Sequence, residues 1–329
     1  MDAYIYRLIR LILLISCLIP SLICFLCVFF YLLKTRKTAY KHLHNHVIIV
    51  LLLLNFILIT TELPITLVYS YYGHVQPINA QFCSFWVAYC YGLYGAGFFL
   101  MAFGSIERYF LIFYERHIHK WRYIIHYPPI LICFIYPFIF YSVVINIYPC
   151  ENVYDYDAYV CGGGCFQYQH IIGTLDYLFN LCTPIMLIIL GNIILLLRFT
   201  YQKRAMKQAN TWRKYHLMYV QLVSISMLYF IIWIPFVIVS LIRLFYNPLF
   251  LQDVTILVMI YCLYICPLAS PFISLIGLPA VRRHLKRNHW HILWVNRIAP
   301  IRIRQIEIIN TRIRQQQIVL RRQSDEHTF

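Results

Sequence analysis

Charged residues are scarce in this sequence, and acidic residues are scarcer than basic ones. Asp, Glu, Lys and Arg make up 12% of the 329 residues, with 12 acidic against 28 basic side chains, whereas soluble domains carry about 25% charged residues. Hydrophobic residues make up 61%, which is more apolar sequence than the core of a soluble protein consumes. The composition excludes an ordinary soluble domain and predicts a membrane protein.

The sequence also lacks the motifs on which enzymes depend. It contains no phosphate-binding glycine loop, no catalytic triad pattern and no paired carboxylates in a plausible site, so we expect neither an enzyme nor a bound cofactor. Three short histidine runs, at 42–46, 117–119 and 289–291, fall on connections between apolar stretches. We expect these histidines to be interfacial and predict no metal site.

Apolar stretches of membrane-spanning length are abundant. A helix needs about 20 residues to cross a bilayer core of about 30 Å, and seven stretches meet this requirement: 8–33, 47–72, 82–109, 123–148, 170–197, 215–242 and 254–276. The segment 279–290 mixes basic and apolar residues in a pattern typical of an amphipathic helix on a membrane surface. We predict an all-α membrane protein, with a seven-transmembrane helix bundle and a short amphipathic eighth helix over 1–290, and a basic tail at 291–329.

The basic residues are distributed unevenly among the connections. Those after stretches one, three and five carry clusters of Lys and Arg, whereas the connections at 71–81 and 148–169 contain none. Because short basic connections stay in the cytoplasm, we predict the N-terminus outside and the C-terminus inside. The net charge of +16 then faces anionic lipid and protein surfaces on the cytoplasmic side, and no nucleic-acid partner is needed to explain it.

Four of the twelve cysteines lie on the predicted outer side, namely Cys83, Cys150, Cys161 and Cys165. Thiols on that side are exposed to an oxidising environment, so we predict two disulfides, one of which ties the 148–169 connection to stretch three. We favour Cys83–Cys165 with Cys150–Cys161, because Cys165 lies nearest to stretch five. Pairing of Cys83 with Cys161 remains the alternative.

Several short motifs are distributed along the apolar stretches. In chain order they are Cys83, Glu107-Arg108-Tyr109, Pro184, Trp233-Ile234-Pro235-Phe236 and Ser270-Pro271. With their spacing, these motifs resemble the rhodopsin-like (class A) G-protein-coupled receptors, and the resemblance covers about residues 8–290. It implies a plasma-membrane receptor that binds an extracellular ligand and activates a heterotrimeric G protein.

The resemblance also implies roles for individual residues. Arg108, with its neighbour Tyr109, would meet the G protein, and Glu107 would restrain Arg108 in the resting state. Trp233 would transmit ligand binding. Proline removes a helical hydrogen bond and kinks the helix, so the hinges of activation would lie at Pro184, Pro235 and Pro271.

The sequence departs from the family pattern at several positions. Asn55 replaces the usual aspartate of the second stretch, and Gly97 and Ser270 stand at its companion positions, so we do not expect an intramembrane sodium site. The segment Arg213-Lys214-Tyr215-His216 has no acid that could restrain Arg108 from the sixth stretch. These departures describe a divergent receptor.

The comparison with the family also bounds the ligand. Tyr264 stands where opsins carry their retinal-binding lysine, and Cys90 stands where amine receptors carry an aspartate, so neither retinal nor a monoamine held in that way is expected. The pocket residues that we predict are Glu62, Cys90, Tyr94, Asp176, Trp233 and Tyr264. Acids inside a membrane are costly and are functional candidates by default, and they favour a cationic peptide or small molecule. The alternative for both acids is simple hydration at the outer interface.

A seven-helix transporter or channel is the alternative class of protein. Transporters show internal repeats and charged residues along a path through the membrane. The sequence has no visible repeat and few charges within its apolar stretches, so a receptor is favoured.

Overall fold

The computed structural model describes residues 2–34, 44–113, 123–205, 209–246, 250–251 and 260–277. All of them belong to one unit, Met1–Leu278. Their regular secondary structure is entirely helical, as expected where a lipid environment forces every backbone group to bond within its own segment. The predicted eighth helix at 279–290 and the tail at 291–329 lie outside the described residues.

Seven helices, some of them built from several segments, make up most of the described residues. We label them α1 (Asp2–Lys34), α2 (His44–Ile57, Leu58–Glu62 and Leu63–Tyr72), α3 (Ala80–Phe113), α4 (Tyr127–Asn146), α5 (His170–Asp176, Tyr177–Cys182 and Thr183–Ala205), α6 (Ala209–Phe245) and α7 (Ile260–Cys262 and Ile265–Gly277). Within the described residues, α1 to α6 are long and apolar enough to cross a membrane, and α7 contains a shorter apolar helix. Residues 254–259 of the seventh predicted stretch are not among those described. The prediction of an all-helical membrane bundle is confirmed.

Two of the helices contain a π-helical turn just before a proline. The turn Leu58–Glu62 precedes Pro64 in α2, and the turn Tyr177–Cys182 precedes Pro184 in α5. Proline has no N–H, and its ring clashes with the carbonyl one turn earlier, so a wider turn relieves the clash. Pro235 and Pro271 instead lie inside the helical segments Ala209–Phe245 and Ile265–Gly277.

Helix α3 lies at the centre of the bundle, where it packs against α2, α4 and α5. Glycine allows the close approach to α4. A Cβ added to Gly92 would come within 2.6 Å of the Phe138 ring, and one added to Gly95 within 3.0 Å of Pro137. Small residues are the usual means of bringing two membrane helices together.

Two disulfides lie at one end of the bundle, which we call the disulfide end. They join Cys83 to Cys161 and Cys150 to Cys165. The favoured pairing of Cys83 with Cys165 is therefore wrong, and the alternative pairing with Cys161 is correct. The connection between α4 and α5 reaches α3 before it turns back toward α5.

A left-handed turn explains why Cys161, rather than Cys165, meets α3. The backbone has positive φ at four consecutive residues, with values of 50° at Val160, 53° at Cys161, 78° at Gly162 and 90° at Gly163. Glycine adopts such angles without strain, whereas a β-branched valine rarely does. The turn buries Val160 and Cys161 against α3, and Cys165 then begins the short helix Cys165–Tyr168 that leads to α5.

The start of α1 lies at the disulfide end. The guanidinium group of Arg10 sits 4.4 Å from the centre of the Tyr261 ring in α7, a cation–π contact. The Arg7 guanidinium lies against Gly73, where α2 ends, and a cation is favoured at the C-terminal end of a helix. By the charge rule alone, Arg7 and Arg10 fit poorly with the predicted outer position of the N-terminus, and these contacts give both of them partners within the bundle.

Candidate functional site

A buried polar cluster lies among α2, α3, α7 and the connection between α4 and α5. Its members, which we call the Glu62 cluster, are Glu62, Thr66, Tyr159 and Tyr264. The π-helical turn of α2 ends at Glu62, and the interruption between the two segments of α7 includes Tyr264. Departures from regular helix thus position both of these predicted residues, as is common at functional sites.

Four oxygen–oxygen distances of hydrogen-bonding length connect the members of the Glu62 cluster. The Tyr264 hydroxyl donates to Glu62 Oε1 at 2.8 Å, and the Thr66 hydroxyl donates to the same oxygen at 3.1 Å. The Tyr264 oxygen lies 2.7 Å from Thr66 Oγ1 and 2.6 Å from the Tyr159 oxygen. Glu62 and Tyr264 are fully buried, which does not fit the alternative of a hydrated Glu62 at the interface.

The other neighbours of the Glu62 carboxylate are the Trp86 indole N–H and the Cys90 thiol, which are donors without charge. Both side chains come from α3 and lie against the carboxylate. Its second oxygen, Oε2, has no donor in good hydrogen-bonding geometry among the described residues. A buried carboxylate oxygen without a firm partner is costly, and it is a position where a ligand donor would be stabilising.

Aromatic rings connect the Glu62 cluster to Trp233. The Tyr94 ring lies 6.4 Å from Tyr264 and 5.6 Å from Trp233, centroid to centroid, and Phe98 lies 4.4 Å from Trp233. Such T-shaped pairs are favourable. The structure therefore brings together five of the six predicted pocket residues: Glu62, Cys90, Tyr94, Trp233 and Tyr264.

A small cavity lies beside Trp233 toward the middle of the bundle. It is lined by Asn55, Leu58, Leu93, Tyr94, Gly97, Phe98, Trp233, Leu263, Cys266 and Pro267. Because Tyr94 and Trp233 belong both to this lining and to the ring contacts described above, movement of either side chain would change the shape of the cavity.

Asp176, the sixth predicted pocket residue, belongs to a different cluster. Its Oδ1 accepts hydrogen bonds from Asn180 Nδ2 at 2.7 Å and from the Tyr141 hydroxyl at 3.0 Å, and the Tyr136 hydroxyl donates to Asn180 Oδ1 at 3.2 Å. These bonds remain within α4 and α5, whereas those of Glu62 join α2 to α7. Asp176 is 8% exposed, so it is also more buried than a hydrated interfacial acid.

The Glu107-Arg108-Tyr109 motif lies in α3 at the end opposite the disulfides. Glu107 and Arg108 are 4% and 3% exposed. Glu107 Oε1 is in hydrogen-bonding contact with His126 Nδ1, and Arg108 lies within electrostatic range of Glu107. The Arg198 guanidinium of α5 lies 5.6 Å from the centre of the Tyr109 ring.

His126 and His46 are site residues that the sequence analysis missed. The ring nitrogen Nε2 of His126 lies 2.9 Å from Nδ1 of His46, so a chain of contacts runs from α3 through the start of α4 to α2. His126 is fully buried. The available signal was a titratable residue within the apolar stretch 123–148. His46, from the 42–46 run that we expected to be interfacial, is a partner in this cluster.

Removal of His126 is expected to destabilise the fold. His126→Ala would leave the buried Glu107 carboxylate without its paired nitrogen, at a cost of about 1 to 3 kcal/mol. We expect a lower melting temperature for the purified protein in detergent. The matched control is His46→Ala, which leaves the Glu107–His126 pair in place and should cost less; equal losses would contradict a special role for His126.

A seven-helix membrane bundle with a buried site near one end has the architecture of a transmembrane receptor. A sequence model of the 7 transmembrane receptor (rhodopsin family) matches residues 25–273, which is most of the chain. The chain therefore belongs to the rhodopsin family of seven-transmembrane receptors, the class A G-protein-coupled receptors, and the predicted resemblance is confirmed. No curated protein matches the chain.

Proposed function

We propose that this protein is a plasma-membrane receptor that binds an extracellular ligand beside the Glu62 cluster and activates heterotrimeric G proteins through Arg108. Membership of the rhodopsin family supports a receptor. The observation that carries the ligand site is the buried Glu62 carboxylate. It is bonded to Tyr264, whose ring contacts Tyr94, and Tyr94 contacts Trp233. A ligand at Glu62 would thus be two ring contacts away from the residue that the resemblance assigns to activation.

The proposed orientation places the disulfide end outside the cell. Both disulfides involve the 148–169 connection, which has no Lys or Arg, and disulfides persist in an oxidising environment. The helices that lead into the basic connections after stretches one, three and five end away from the disulfides, and the positive-inside rule assigns such connections to the cytoplasm. Arg108 would then face the compartment that contains G proteins.

The ligand that the charges favour is a cationic peptide or a positively charged small molecule. Glu151, Asp155 and Asp157 are exposed on the outer connection, and Glu62 lies beneath it. Arg7 and Arg10 lie at the same end, but the connection itself carries only acids among its charged residues. An acidic surface with low-dielectric walls raises the local concentration of cations, an effect that salt weakens. The surrounding aromatic rings would add cation–π contacts of about 0.5 to 2 kcal/mol each.

Guanine nucleotide exchange on the purified receptor tests this function. The receptor would be assayed against a panel of G proteins, first alone and then with cationic peptides, amines and neutral lipids. Exchange that depends on receptor and rises with a cationic compound is the expected result. Ion or solute flux into receptor-containing vesicles, without exchange on any G protein, would overturn the proposal in favour of a transporter or channel.

The two buried acids provide a matched test of the ligand's charge. Glu62→Gln is expected to lower the potency of a cationic agonist about tenfold or more, which corresponds to at least 1.4 kcal/mol of lost interaction. Asp176→Asn makes the same chemical change at an acid whose hydrogen bonds lie within α4 and α5, and it should change potency less. A neutral lipid agonist whose potency neither variant alters would remove the cationic proposal.

A further inference from the structure

The side chain of Tyr159 occupies a position inside the Glu62 cluster, although Tyr159 belongs to the connection between α4 and α5. Its oxygen lies 2.6 Å from that of Tyr264, which in turn donates to Glu62. We propose that Glu62, Thr66 and Tyr264 form a subsite for a phenolic hydroxyl, and that Tyr159 is its built-in occupant. The proposal deepens the ligand site described above and rests on it for its link to signalling.

Hydrogen counting shows that the subsite accepts a donor. Tyr264 has one hydroxyl hydrogen, and it is directed to Glu62 Oε1. With the Tyr264 hydrogen assigned to Glu62, the contact between the two tyrosines uses the hydrogen of Tyr159. Burial and the nearby Glu62 charge raise the pKa of Tyr159 well above its usual range, so its hydroxyl remains a donor at neutral pH.

The subsite also holds the aromatic ring of its occupant. The Tyr159 ring lies 6.0 Å from Tyr69, 6.0 Å from Trp86 and 6.1 Å from Tyr261, measured between centroids. These rings come from α2, α3 and α7, so they surround the phenol from three helices. Ring contacts together with a hydroxyl acceptor define recognition of a phenol rather than of an alcohol or a hydrocarbon ring.

The chain on both sides of Tyr159 is anchored. Before it, the Tyr156 carbonyl accepts from the Val75 amide at 2.7 Å, and the Asp157 carbonyl accepts from the Tyr69 hydroxyl at 3.0 Å. After it, Cys161 is bonded to Cys83 of α3. The left-handed conformation of Val160 between these anchors is unfavourable for a β-branched residue, and such strain persists only where the surroundings impose it. The anchors thus hold the phenol in the subsite.

An occupant of this kind acts on the same residues as a ligand. Tyr159 contacts Tyr264, whose ring meets Tyr94, and Tyr94 meets Trp233. The chain itself would therefore supply part of the signal, and Tyr159→Ala should lower basal nucleotide exchange about threefold, a modest shift of population between two receptor states.

Chemical replacement of the missing side chain tests the proposal. Tyr159→Ala removes the hydroxyphenyl ring, and p-cresol is the free analogue of the whole tyrosine side chain, one carbon larger than the group removed. We expect the variant to melt roughly 5 to 10 °C lower than the wild type, and p-cresol to recover at least about half of this loss by mass action. Toluene, which lacks the hydroxyl, should recover less. Tyr154→Ala is the matched control, because Tyr154 lies in the same connection but bonds Ser84 instead of the subsite.

The outcomes separate the subsite from the proposed receptor function. A p-cresol effect confined to Tyr159→Ala supports the subsite, and recovery of basal exchange at the same time supports its link to signalling. If p-cresol restores the melting temperature of Tyr159→Ala but no G protein responds to the receptor, the subsite is retained and the receptor proposal is overturned. If p-cresol stabilises Tyr159→Ala no more than Tyr154→Ala, the subsite is wrong. If Tyr159→Ala fails to fold, Tyr159→Phe replaces it as the test, because it retains the ring and removes only the hydroxyl. A melting temperature and an exchange rate of Tyr159→Phe identical to those of the wild type would show that the hydroxyl has no role.

Discussion

Replacing Arg108 with alanine is expected to lower guanine nucleotide exchange by about tenfold or more, equivalent to the loss of one or two charge-assisted hydrogen bonds. Arg108 is the arginine of the motif that the family resemblance assigns to G-protein contact, and it lies at the end of α3 opposite the disulfides. Glu107 keeps its contact with His126, so the change should still give a folded protein although Arg108 is buried. Surface expression is therefore expected to remain close to that of the wild type.

Arg198→Ala is the control for this experiment. Arg198 lies at the same end of the bundle, over the Tyr109 ring, so its removal deletes one positive charge near the motif. We expect exchange to fall by less than about twofold, which is typical of a surface interaction. If Arg108→Ala signals normally, Arg108 has no role in coupling. If both variants lose the same activity, the loss reflects positive charge at this end of the bundle and not a specific role of Arg108.

The helices could be predicted from the sequence because a membrane span depends on the length of an apolar run. The predicted stretches 8–33 and 82–109 correspond to Asp2–Lys34 and Ala80–Phe113. The differences lie at the ends, where a helix continues beyond the apolar region into residues that no longer need to be apolar. The π-helical turns were not predicted, although Pro64 and Pro184 provided a signal for them.

The candidate site could be predicted only in part. Glu62 and Tyr264 were identifiable because an intramembrane acid is rare and because family positions are fixed along each helix. Tyr159 was not, since it is one of 29 tyrosines and lies in a connection whose path depends on a left-handed turn. The partner of Glu107 was missed for a similar reason: His126 reaches it only after the chain has left α3 and entered α4.

The choice between Cys161 and Cys165 illustrates the same difficulty. Sequence distance favoured neither strongly, and the geometry depended on backbone angles at Val160 and Cys161. Mass spectrometry of a non-reduced digest is expected to find one peptide pair joined through Cys83 and Cys161 and another through Cys150 and Cys165. A peptide pair joined through Cys83 and Cys165 would contradict the structure.

Removal of the Cys83–Cys161 disulfide is expected to cause the larger loss of stability. The bond joins residues 78 apart in sequence, against 15 for Cys150–Cys165. In the chain-entropy description, loops of these sizes correspond to about 4.5 and 3 kcal/mol. The double variant Cys83→Ser/Cys161→Ser should therefore melt at a lower temperature than its matched control, Cys150→Ser/Cys165→Ser. The reverse order would show that loop closure does not determine the contribution of either bond.

The two double variants should also differ at the Glu62 cluster. Cys161 follows Tyr159 by two residues, so its bond to α3 is one of the anchors that hold the phenol between α2, α3 and α7. Loss of that anchor allows the strained turn at Val160 to relax, and Tyr159 is then no longer held against Tyr264. We expect basal nucleotide exchange in Cys83→Ser/Cys161→Ser to fall about threefold, as in Tyr159→Ala, since both changes empty the same subsite. Cys150→Ser/Cys165→Ser leaves this anchor intact and should retain basal exchange. An equal fall of basal exchange in the two double variants would mean that the disulfides stabilise the fold without positioning Tyr159.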